Sequence, residues 1–256
     1  MSKKQAAPPA DAPGEPDASQ EGLLARAVVY AFLSRVFAYP TSERLAELRA
    51  RFAPAVAEVD GLPGEGAFSA LVGDLERPLD ELQAAHRAAF TLTASSDCPD
   101  FETAYSSQDV FQQTAVMADV AGFYRAHGLE VGGPDRDRPD SVVAELEFMA
   151  VVALKEARAL AAGDEENAAI CRESGALFLR DHLACWGEGF ARRVELSTQE
   201  WPLYPDAARL LAAWLRQECE SLAIAPAQLF EEPMLPVPVP DDGACPTGDE
   251  AVDGDS

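Results

Sequence analysis

Three histidines and five cysteines are the side chains of this 256-residue chain best suited to metal binding or nucleophilic catalysis, and their spacing suits neither. A di-iron site in a helical bundle needs Glu three residues before His, whereas Gln83, Tyr124 and Leu179 precede His86, His127 and His182 at that distance. Cys98, Cys171, Cys185, Cys219 and Cys245 include no CxxC pair, so neither a zinc ribbon nor a redox dithiol is signalled. Cys98, directly before Pro99, reads as structural rather than nucleophilic. HExxH, GxSxG and a Walker-type phosphate loop are absent. Gly61, Gly64 and Gly66 match no dinucleotide fingerprint. The chain is therefore expected to carry no catalytic residue, no metal and no cofactor of its own, and not to be an enzyme.

Carboxylates remain. The 44 Asp and Glu side chains against 20 Lys and Arg give a formal charge of −24. Such a field repels nucleic acid and anionic membrane and attracts a basic partner such as an arginine-bearing peptide. Solubility alone is the plainer explanation of the same charge. The longest apolar run, residues 149–154, is far too short to span a bilayer, and residues 1–20 hold no apolar core of a signal peptide. With an odd number of widely spaced cysteines, these features place the protein in the reducing cytoplasm.

The elements that would position these groups read as helices, an all-α single-domain bundle over residues 21–230 between disordered tails at 1–20 and 231–256. Leu24, Val28, Phe32 and Val36 recur at helical spacing, and Pro40 stops that helix. Ser42 can cap the next helix. A glycine-rich loop at 61–66 leads to a helical stretch broken near Pro78 and resuming to Phe90. An irregular link, 93–107, precedes a helix over 108–127 that Gly128 ends. After a polar turn at 132–139 comes the strongest helix, capped by Asp140 or Ser141, with Val142, Leu146, Met149 and Ala153 on its inner face. Asp164 caps another, carrying Ile170, Leu177, Phe178 and Leu183. Short helices over 186–194 and 205–222 follow. No stretch alternates long enough for a sheet.

Six segments, in order, resemble one family. They are YAFLSRVFAYP (30–40), CPDFETAY (98–105), FQQT leading into MADVAGFY (111–124), RPDSVVAELEFM (138–149), FLRDHLACW (178–186) and Leu203-Tyr204. Together they are similar to the TorD/DmsD/NarJ group of molybdoenzyme maturation chaperones. The FETAY and FQQ wording looks closest to the branch serving type II enzymes of the dimethyl-sulfoxide-reductase family. That resemblance implies a TorD-like helical domain, monomeric or domain-swapped into a dimer. It further implies a partner, the precursor of a molybdoenzyme catalytic subunit with its twin-arginine signal peptide. A nucleotide-dependent enzyme and a permanent helical adaptor subunit are the competing readings.

A binder of a basic, apolar-centred peptide needs carboxylates beside aromatic side chains. The resemblance puts such residues at the signature turn, Pro139, Asp140, Ser141 and Glu145, and at the link, Phe101, Glu102 and Tyr105, with Phe111 and Tyr124 nearby. Phe101, Tyr105, Phe111 and Tyr124 would form an apolar wall. Asp140 would pair with an arginine or cap the helix. Glu145 would do the same pairing, favour the helix dipole, or require a partner if buried. Ser141 stands where the family often has His and can cap but not carry charge. His182 reads as a satisfied core histidine, and Trp186 as core.

Overall fold

Cap and stop residues set the helix boundaries in the computed structural model, which describes residues 19–90, 98–106, 109–130 and 138–226. Both expected tails fall almost wholly outside these residues, as does most of the polar turn. Ser19 accepts from the Gly22 amide and opens α1 (Gln20–Phe37). Thr41, not the expected Ser42, caps α2 (Ser42–Glu47), because its Oγ1 is the one placed to accept from the Arg44 amide. A π segment, Leu48–Phe52, joins α2 to α3 (Ala53–Ala57). Then come α4 (Glu65–Leu75) and α5 (Leu79–Phe90), separated near Pro78 as the sequence predicts.

The link is less irregular than expected: it holds a short helix, α6 (Thr103–Ser106). Asp109 caps α7 (Val110–Ala126), Ser141 caps α8 (Val142–Ala161), and Asp164 caps α9 (Glu165–Phe178). Gly128 and Gly163, both at positive φ, follow α7 and α8. A second π segment, Leu179–Leu183, carries α9 directly into α10 (Ala184–Ser197). The helices expected to be short are not: α11 (Tyr204–Ser221) is as long as α1, at 18 residues. Among the described residues there is no strand, only one antiparallel bridge between Phe101 and Ser141.

One apolar core runs through the bundle. Its axis is α1 against α8, with α9 on α8, α10 on α11 and α4 on α11. Two expected core positions are exposed. Leu24 is 42% exposed and Ile170 53%, while the adjacent Leu23 and Cys171 are buried. A wide apolar face leaves a one-residue ambiguity that the packing partner resolves.

Gly187 lies where α10 packs against Leu215 of α11. A Cβ there would stand 2.5 Å from Leu215 Cδ1, on a side chain with no exposed surface. Gly187→Ala therefore gains helix propensity but overpacks the seam, at a cost of roughly 1–3 kcal/mol. The expected result is a net loss of about 1 kcal/mol, read as a lower urea midpoint at unchanged slope. A gain in stability would show that Leu215 repacks freely.

Candidate functional site

The link and the signature turn meet edge to edge. The Glu102 amide donates to the Asp140 carbonyl at 2.8 Å, and the Val142 amide to the Asp100 carbonyl at 2.8 Å. Two phenols pin this junction: Tyr105 Oη donates to the Pro99 carbonyl at 3.0 Å and Tyr124 Oη to the Pro139 carbonyl at 2.7 Å. Both rings are buried, Tyr105 against Trp186 and Tyr124 against Phe148 and Phe178. They brace the turn from within, rather than lining an exposed wall.

Asp140 is fully buried and is not the cap of α8; Ser141 is, accepting from the Ala144 amide at 3.2 Å. The Asp140 carboxylate instead receives the Thr103 amide (3.1 Å) and Thr103 Oγ1 (2.7 Å), fixing the first turn of α6. It already has an arginine. Arg138 Nε lies 2.9 Å from Oδ1 and Nη2 3.2 Å from Oδ2. The same Nη2 reaches Thr103 Oγ1 at 2.7 Å, and the guanidinium lies over the Phe101 ring, 4.2 Å from its centroid.

Behind this surface lies a second buried set. Glu145 has no exposed area, and Trp186 Nε1 donates to its Oε2 at 3.0 Å. Burial, then the neighbouring Glu102 charge, push its carboxyl well above the usual range, with the Trp186 bond opposing. Glu102 is raised by burial too, but His182 opposes, its Nδ1 standing 3.1 Å from Oε2. Burial pulls His182 down, yet the hydrogen bond and charge of Glu102, with Asp119 and Asp181, outweigh it and leave it raised. Burial beside the Glu102 charge thus favours the neutral form of Glu145, whose Oε1 has no hydrogen-bond partner among the described residues, while the contact with His182 favours the Glu102 carboxylate. His182 is buried as expected but not fully satisfied: Asp119 Oδ2 lies 3.4 Å from Nε2, an ion-pair approach without a formed hydrogen bond.

The structure thus gathers Phe101, Glu102, Tyr105, Tyr124, Pro139, Asp140, Ser141 and Glu145 around one junction. Phe111 is different: it is 87% exposed in the first turn of α7 and makes no ring contact among the described residues. Sequence reasoning did not select Thr103, Arg138 or Asp119. Arg138, two residues before Asp140 in the signature, carried the signal that could have found it. The described cysteines form no disulfide, and Cys245 lies outside the described residues.

A family model described as nitrate reductase delta subunit matches residues 60–192, and the chain belongs to that family. It is 29% identical over 157 residues to the selenate reductase assembly chaperone protein of Thauera selenatis, covering 60% of this chain and 80% of that one. It is 30% identical over 89 residues to the chlorate reductase assembly chaperone protein of Ideonella dechloratans, covering 35% and 45%. A crystal structure described as a redox enzyme maturation protein from Archaeoglobus fulgidus aligns with a TM-score of 0.48 at 18% identity, over 74% of this chain and 93% of that one. That likeness is too distant to bear on the site. No described helix is long and apolar enough to cross a membrane.

Proposed function

We propose that this chain is a cytoplasmic assembly chaperone that binds the catalytic subunit of a molybdenum enzyme before its cofactor is inserted. The observation that carries this reading is the similarity over 80% of the selenate reductase assembly chaperone. It further holds the subunit's twin-arginine signal peptide until folding is complete. Support for this second step is the acidic charge of the chain and the partly buried Phe101 at the junction. In this reading Phe101 and Phe111 meet the client, while Glu102, Tyr105, Tyr124 and Glu145 hold the turn in shape behind them.

The test is affinity purification of the tagged chain from cells actively making such an enzyme, with mass spectrometry of bound chains. A stoichiometric catalytic subunit lacking its cofactor is the expected result, and it names the client. Recovery of this chain within the mature, active complex would instead make it a permanent subunit. Absence of any catalytic subunit would overturn the reading.

A further inference from the structure

Carboxylates flank both ring nitrogens of His182. Glu102 Oε2 lies 3.1 Å from Nδ1, and Asp119 Oδ2 lies 3.4 Å from Nε2. A neutral imidazole has one N–H and can turn a proton toward only one of them; the other carboxylate then meets a lone pair. The imidazolium alone suits both. The two carboxylates differ in freedom. Glu102 is 4% exposed and cannot turn to water, whereas Asp119 is 68% exposed and can. Loss of the imidazolium proton therefore breaks the Asp119 contact and keeps the Glu102 one. Asp119 also stands at the boundary between two unlike halves of α7. Within this helix Val120 and Tyr124 are the buried residues, and both follow Asp119. That half is pinned further by Tyr124 Oη on the Pro139 carbonyl and by His127 Nε2, 2.8 Å from Ser174 Oγ. The half before it, residues 110–118, buries nothing and carries the exposed Val110 and Phe111. Met117 Sδ, 3.3 Å from Arg138 Nη2, is a soft tie of that half.

We propose that His182 is a pH-sensitive latch: its cation holds the N-terminal half of α7 to the bundle through Asp119, and that half loosens as the proton leaves. The charged groups facing the ring are Glu102 from the link, Asp119 from α7, and Asp181 from its own segment, itself paired with Arg180. Glu145 of α8 acts on the ring through Glu102, and α9 presents the Phe178 ring. Burial pulls the imidazole down, but Glu102, then Asp119 and Asp181, outweigh it and leave it above its ordinary value of 6.5. A group raised in the folded state contributes its full stabilisation below its unfolded value and loses it as pH rises through the folded one. The latch is thus closed in acid and opens on the alkaline side of 6.5. The half it frees is the one that presents Phe111. Any bearing on a client rests on the function proposed above; the latch itself does not.

The experiment is amide hydrogen exchange of the full chain from about pH 6 to 9, corrected for the intrinsic pH dependence of exchange. Protection at residues 114–118 should fall relative to residues 121–126 of the same helix by roughly two- to fivefold as pH rises, the range of one partly exposed ion pair. The comparison within one helix cancels any change in global stability. Asp119→Asn alters an exposed side chain, so folding is not at stake. It should show the low ratio already at the acid end and no further change. A flat ratio in wild type, or a wild-type response in Asp119→Asn, would overturn the latch. Glu145→Gln should keep the response; its loss there would assign the titration to Glu145 and overturn the latch as well. The His182 ring resonances should titrate at lower pH in Asp119→Asn than in wild type, and an unmoved midpoint would show that Asp119 does not hold the cation. No client takes part in these measurements, so a latch that responds as expected stands even where the purification recovers no catalytic subunit.

Discussion

Glu218→Ala is expected to cost this fold about 3 kcal/mol, enough to lower its melting temperature by roughly 6–12 °C. Glu218 lies on α11 with 4% of its side chain exposed, and two residues of α1 converge on it. Arg26 donates through Nε at 2.9 Å and Nη2 at 2.7 Å to Oε2, and Tyr30 Oη donates to the same oxygen at 3.0 Å. Removing the carboxylate strands a phenol that has no exposed surface, pressed edge-on against Trp214. It also leaves a guanidinium that is only 18% exposed. That small exposure is why the figure sits at the low end for a broken buried pair: Arg26 can swing toward water, but Tyr30 cannot. Glu218→Gln keeps an acceptor for both donors and loses only charge, so it should cost roughly half as much. Denaturant midpoints at constant slope measure both variants. Equal losses for Ala and Gln would mean that the charge matters and the hydrogen bonds do not. A loss below about 1 kcal/mol for Ala, the range of exposed ion pairs, would mean that water enters the site.

This pair also shows which parts of the molecule sequence reading reaches. Helix ends are local events. Pro40, Gly128, Gly163 and Asp164 act on backbone within a turn of themselves, so their roles follow from their identity. Partnerships across the bundle are not local. The α1 pattern gives no hint that Tyr30 and Arg26 share one acceptor on α11. The candidate site divides the same way. Its members were legible because the link and turn segments resemble a known family. Their orientation was not: a tyrosine has an apolar ring and a polar tip, and serves equally on a wall or in a core. What placed Tyr105 and Tyr124 inside was a pair of carbonyls, Pro99 and Pro139, within reach of buried phenols. Asp140 invited a cap because Asp before an apolar helix commonly is one. The adjacent Ser141 took that role, and the free carboxylate turned toward Thr103 and Arg138.

Glu145→Gln should make the protein more stable than wild type at alkaline pH while leaving it little changed near pH 5. Burial and the Glu102 charge disfavour a second carboxylate there and raise the Glu145 carboxyl well above its ordinary range in the folded state. The unfolded chain releases that proton in the ordinary carboxylate range, near 4.3. Where the native state binds more protons than the unfolded state, stability falls as pH rises. The contribution is therefore complete below the unfolded value and is lost progressively up to the raised folded one. His182, also raised, pulls in the same direction above its ordinary value of 6.5. Glutamine reproduces the protonated acid: its carbonyl accepts from Trp186 Nε1 and its amide donates to Glu102. It has no proton to lose, so its stability curve should be flatter. The gap at about pH 9 should reach on the order of 1–3 kcal/mol, or several degrees of melting temperature. Repulsion among the remaining acidic groups is common to both proteins and cancels in the difference. Glu145→Leu provides the control, since it removes the charge but leaves Trp186 Nε1 buried without an acceptor, and it should be less stable than Glu145→Gln at every pH. Parallel melting curves for wild type and Glu145→Gln from pH 5 to 9 would show that the Glu145 carboxyl is not raised in the folded state, and the electrostatics assigned to the interior of the site would fall with it.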